Sequence, residues 1–299
     1  MNKRSHIFDR SLTAAIPIAF VLLWSTGWIV ARLAADDADP LTFLIFRYAG
    51  AAFCLGAFAW LAGAEWPRSR AEWLHALASG VLLHALYLGG IWWAIAHGVP
   101  ATISALLAAL QPILTAILAP WLVGERIGRR QWLGVALGFA GLLLVLAPKL
   151  LALDTGQVAG VVVPLLINAA GMVSLTFGTF YQKRYIRTGD LRTISFLQFI
   201  SAMLATIPLA YLFEDMRIVW SRDVIIAMVW SVVAVSIISI ALLLHLIRRG
   251  EVARSAQLVY LVPPTAAVQA FLLFGERLSI VQLFGMAVTV TGVMLATRR

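Results

Sequence analysis

Charge is what this sequence has least of. Only 12% of its 299 residues are Asp, Glu, Lys or Arg, where an ordinary soluble domain carries roughly 25%. Hydrophobic residues make up 62%. A chain like this cannot cover its apolar surface in water, and its composition fits a bilayer as solvent. Cysteine is nearly absent too. Cys54 stands alone in an apolar run, which excludes an intrachain disulfide. There is no CxxC, no HExxH and no clustered set of metal ligands, so no metal or other cofactor is expected. The formal net charge of +9 raises nucleic acid as a partner. The basic residues, however, fall in short clusters between apolar runs, the pattern of membrane topology rather than of a phosphate-binding face. The expected partners are the lipid bilayer and a small-molecule substrate, with no nucleic acid.

The apolar runs come next. A membrane helix needs about 20 apolar residues, and Leu12–Ala31 supplies the first. The basic stretch before it resembles a signal-peptide n-region, but the run is too long for an h-region and further runs follow. The expectation is a retained first helix. Leu41–Ala64 is the second span, interrupted by Arg47. From Trp73 to Gly124 there is no Asp, Glu, Lys or Arg, which is room for two spans broken at His97–Pro100. Gln131–Ala147, Thr155–Gln182, Thr193–Phe213, Val224–Ile247, Ser255–Gly275 and Leu278–Thr297 complete ten. With the N-terminus inside, 17 Lys and Arg lie on the cytoplasmic side and five outside. That bias predicts an N-in, C-in topology. The fold class expected is an all-α, multi-pass integral membrane protein of the inner membrane.

The chain also repeats itself. Gly-Glu-Arg occurs at Gly124 and again at Gly275, each followed ten residues later by another Gly, Gly134 and Gly285. His97-Gly98 matches Arg249-Gly250, Pro112 matches Pro264, and Gly141 matches Gly292. Near the front of each half, "DPLTFLIFRYAGA" from Asp39 resembles "DLRTISFLQFISA" from Asp190. The reading is two five-helix repeats, residues 1–150 and 151–299. Five is odd, so the second repeat is inverted in the membrane. Such geometry suits alternating access around a midplane site. In each Gly-Glu-Arg, Gly is expected to end a helix and Glu to favour the dipole of the next.

Four stretches, "LLWSTGWIVARLA", "PLTFLIFRYAGA", "PILTAILAPWLVGER" and its second copy "PPTAAVQAFLLFGER", resemble the drug/metabolite transporter superfamily, closest to its ten-helix EamA-type members. The resemblance covers almost the whole chain and extends to aromatic amino acid exporters. It implies a basket of helices around a central cavity, with spans 5 and 10 packed outside. One departure is "SLTFGTFYQKR" on span 6, where a Trp-containing helix is usual.

Every Asp and Glu lies in a loop or at the end of a span. That absence disfavours a cation/proton antiporter built on a membrane carboxylate and favours a neutral or zwitterionic solute. No nucleophile–base pair or metal set suggests an enzyme. Arg47, about 9 Å into span 2 at 1.5 Å per residue, either receives a solute carboxylate or serves structure, by snorkelling to the interface or bonding a neighbouring helix. The expected cavity lining is Trp24 or Thr26, His84, Tyr87, Asn168 and Ser239, on spans 1, 3, 6 and 8. Aromatic walls with a few placed polar groups suit an amino acid with a large apolar or aromatic side chain. The expected function is export of such metabolites. Broad drug/metabolite efflux and a channel-like facilitator are the alternatives. Gly134-x-x-x-Gly138 is expected to pack helices within a monomer.

Overall fold

The computed structural model describes residues 3–108, 110–123, 128–151, 158–186, 188–239, 241–242 and 261–297. Its described elements are helices. They are α1 (Lys3–Ala34), α2 (Pro40–Leu61), α3 (Arg70–Ala96), α4 (Ala101–Leu107), α5 (Leu110–Val123), α6 (Arg129–Leu151), α7 (Val158–Tyr185), α8 (Leu191–Phe213), α9 (Arg222–Trp230, running on through Ser231–Ile238), α10 (Val262–Phe274) and α11 (Ile280–Thr297). Six of them, α1, α2, α3, α6, α7 and α8, contain stretches long and apolar enough to cross a membrane. The first Gly-Glu-Arg and His245 lie outside the described residues.

Local chemistry sets several boundaries. Pro40 opens α2, where the missing N–H costs nothing. Ser69 and Glu72 form a reciprocal capping box that starts α3. Ser221 caps α9 through Val224 N. Gly275 ends α10 at φ 68°, a left-handed conformation that favours glycine. Pro263 and Pro264 lie in the first turn of α10 as described. Twice the helical ladder widens to a π-helical turn, at Val81–Leu86 in α3 and at Ser231–Ile238 in α9. Such turns are uncommon and recur at functional sites.

Large apolar side chains such as Trp60, Trp121, Tyr211, Leu212 and Ile280 point outward, as lipid-facing surface does. Helices pair in a regular scheme, α2 with α8, α3 with α7, α1 with α9 and α10, and α6 with α11. The α6–α11 seam is tight enough to require glycine. A Cβ on Gly292 would sit 2.2 Å from Gly138 N and 2.7 Å from Gly134 O. The Gly134-x-x-x-Gly138 stripe is thus occupied within the chain.

At one end of the bundle two carboxylates tie distant helices together. Glu214, just after α8, accepts from Leu41 N at 2.7 Å, Thr42 N at 2.9 Å and Thr42 Oγ1 at 2.9 Å. Glu276, just after α10, repeats this at α4, accepting from Ala101 N at 3.2 Å, Thr102 N at 3.1 Å and Thr102 Oγ1 at 2.8 Å. Each carboxylate satisfies orphan N–H groups at the N-terminus of a distant helix. This corrects the expectation for the second Gly-Glu-Arg. Glu276 serves α4 rather than the helix that follows it, whose start is capped by Ser279 and Gln282. At the same end Ala38 pairs with Ile218, Arg217 N donates to Asp39 Oδ2 at 2.7 Å, and Arg32 lies over the Phe274 ring.

Candidate functional site

A cavity of about 310 Å³ lies between α1, α2, α3, α7, α8 and α9. Helical spacing builds its walls. Trp24, Gly27 and Trp28 recur at i, i+3 and i+4 on α1, and His84, Tyr87, Leu88 and Ile91 at i, i+3, i+4 and i+7 on α3. Trp92, Arg47, Gln198, Phe199 and Ser236 complete the inner part, and Gln182, Leu191 and Ser195 extend it toward the end opposite the Glu214 and Glu276 contacts. At that opposite end Thr193 Oγ1 donates to Glu65 O, and Trp66 packs against Trp73 and Phe196.

Both π-helical turns border the cavity, and their altered ladders are bonded by side chains. Tyr48 Oη donates to His84 O at 2.9 Å, and Ser174 Oγ to Leu82 O at 2.9 Å. On α9, Ser236 Oγ donates to Ser231 O and Ser239 Oγ to Ala234 O, each five residues back. The His84 ring stacks on Phe199 with centroids 4.6 Å apart. Trp92 stacks on Phe43 at 4.7 Å, and the Arg47 guanidinium carbon lies 5.8 Å from the Trp92 ring centroid. Gln198 Nε2 donates to Ser79 Oγ at 2.9 Å.

Of the residues singled out in the sequence, the structure brings Trp24, His84 and Tyr87 to this wall. Thr26, Asn168 and Ser239 lie elsewhere. Thr26 Oγ1 accepts from Trp230 Nε1 at 2.9 Å, since it stands about 200° around the helix from Trp24. Asn168 Nδ2 donates to Ser104 Oγ at 2.6 Å, joining α7 to α4. Ser239 is buried on its own helical turn. Sequence reasoning passed over Trp28, although it stands four residues from Trp24. Of the adjacent pair Trp92 and Trp93, only Trp92 faces the cavity, while Trp93 stacks on His97. Arg47 does not snorkel, and among the described residues it pairs with no acid. It is 4% exposed and on the wall.

The model of the EamA-like transporter family matches this chain twice, over residues 12–147 and 163–298. The chain belongs to the EamA-like transporter family. Relatives agree over nearly full length. "Uncharacterized inner membrane transporter YedA" of Escherichia coli is 26% identical over 279 residues, covering 93% of this chain and 88% of that one. "Probable amino-acid metabolite efflux pump" of the same organism is 25% identical over 289 residues, covering 94% and 93%. "Probable terminal-alkyne amino-acid exporter" of Streptantibioticus cattleyicolor is 26% identical over 293 residues, covering 93% and 91%. A solved crystal structure shares the fold with a TM-score of 0.63 at 18% identity, covering 96% of this chain and 97% of its own. This EamA-like protein is therefore a multi-pass inner-membrane transporter.

Proposed function

We propose that this EamA-like transporter exports small neutral or zwitterionic metabolites, foremost amino acids with large apolar or aromatic side chains, by alternating access. The observation that carries the reading is the aromatic cavity, walled by Trp24, Trp28, Tyr87 and Trp92 with a few polar groups set among them. The amino-acid names of two relatives agree with it. The chain is read as two inverted five-helix repeats, residues 1–150 and 151–299, with ten spans and both termini in the cytoplasm. The paired family matches, the π-helical turn in each half and the 17-to-five distribution of basic residues support this. In that orientation the Glu214 and Glu276 contacts close the outer end, and the cavity extends toward the cytoplasm.

No carboxylate lines the cavity among the described residues, so export down a gradient is expected to survive collapse of the proton gradient. The test is counterflow of labelled phenylalanine into liposomes holding the purified protein. The reading expects saturable uptake, accelerated by unlabelled phenylalanine or leucine inside and insensitive to protonophore. Uptake that neither saturates nor responds to internal solute identifies a channel-like facilitator. Uptake abolished by protonophore overturns the coupling.

A further inference from the structure

Arg47 is the one strong cation on the cavity wall, and no acid shares that wall among the described residues. The described ion pairs, Arg32–Asp36, Arg68–Glu65 and Arg192–Asp190, all leave it out. Its Nε and Nη2 both donate to Ser236 Oγ at 3.3 Å, and that hydroxyl is committed as a donor to Ser231 O at 2.9 Å. A guanidinium offers five N–H donors in a planar fork, so most of Arg47's capacity is unspent. Trp92 presents a ring to the charge but no acceptor oxygen. A second donor on the same wall is also unspent. Trp28 is 4% exposed and its indole N–H has no acceptor among the described residues. A charge held within a membrane span requires a partner, and the described residues do not provide an anionic one.

We propose that Arg47, aided by the Trp28 indole N–H, anchors a solute carboxylate, and that the site selects the carboxylate rather than the ammonium group. The substrate class is then the organic carboxylate with a large apolar body, of which zwitterionic amino acids are one subset. An ammonium group meets no acid on this wall, whereas a carboxylate satisfies the fork with two parallel hydrogen bonds. The inference rests on the exporter reading above and sharpens it.

The test uses purified full-length protein and three probes that share one benzyl body: L-phenylalanine, 3-phenylpropionate and 2-phenylethylamine. Binding is read by quenching of tryptophan fluorescence, since three tryptophans line the cavity. The expected result is that 3-phenylpropionate binds within about threefold of phenylalanine or tighter, and that 2-phenylethylamine binds at least about tenfold weaker. Arg47→Gln should weaken both carboxylates by about tenfold or more and leave the amine unchanged, and Arg47→Lys should fall between. Equal binding of 2-phenylethylamine and 3-phenylpropionate by the unaltered protein overturns the inference without recourse to any variant, and leaves the exporter reading standing. So does an Arg47→Gln protein that is monodisperse and binds both carboxylates as wild type. If none of the three probes binds, the large-apolar-solute reading falls and takes this inference with it.

Discussion

Replacing Glu276 by glutamine keeps size and removes charge at one of the two carboxylate contacts that, in the proposed orientation, close the outer end. Glu276 Oε1 takes the Ala101 N–H, and Oε2 takes both the Thr102 N–H and the Thr102 hydroxyl. Glutamine has one acceptor oxygen and, in place of the other, an amide that only donates. Whichever way it turns, one arm sets donor against donor. Leaving a buried donor unsatisfied costs about 1–3 kcal/mol. Losing negative charge at a helix N-terminus adds about 0.3–1 kcal/mol. The closed form should weaken by about 1.3–4 kcal/mol, which is roughly 10- to 1,000-fold in its equilibrium with an outward-open form. The assay places a cysteine at Leu88, on the cavity wall, in a Cys54→Ala background, and labels oriented vesicles from the outside with an impermeant maleimide. Glu276→Gln should raise the labelling rate by that factor. A rate within about threefold of the parent, in a protein that still folds, would refute the role of the carboxylate in closing this end.

Other tests address the packing, the second carboxylate and the topology. Gly292→Ala drives a Cβ into the Gly138 backbone, an overpacking of about 1–3 kcal/mol, so melting read with a thiol dye on Cys54 should fall by about 2–5 °C. Gly160→Ala, whose Cβ meets nothing within 4 Å, should not lower it. Burial pushes the Glu214 carboxyl above the usual carboxylate range, against the pull of its hydrogen bonds to Leu41 and Thr42, and Asp39 pushes the same way. A raised folded value means that this group's contribution is full below its unfolded value and is lost as pH rises through the folded one. Melting of Glu214→Gln should therefore gain on wild type as pH climbs from about 4 to 8, and a flat difference counts against it. Single cysteines at Asp37 and Arg277 should label from outside, and at Arg129 and Arg187 only after permeabilisation. The same side for Arg129 and Arg277 removes the inversion.

Membrane character, the apolar runs and the repetition of motifs were legible in the sequence because each is a statement about composition or spacing along one helix. The His84–Tyr87 pair was legible for the same reason, since residues three apart share a face. What the sequence left open was every fact that joins two distant helices. Arg47 read as a group that receives a solute carboxylate or as a structural charge, snorkelling or bonded to a neighbouring helix, and only the packing of α2 against α9 shows it inside, bonded to Ser236. Asn168 and Ser239 carry the right chemistry for a binding wall. Ser104 takes the Asn168 amide N–H and the Ala234 carbonyl takes the Ser239 hydroxyl, because a polar group in an apolar bundle bonds its nearest neighbour first. Glu276 stands next to the helix it was expected to serve, yet it caps α4, whose start lies 175 positions earlier in the chain. Local rules see only neighbours along the chain. The tertiary structure decides which orphan N–H groups lie near which carboxylate, and desolvation makes that pairing matter.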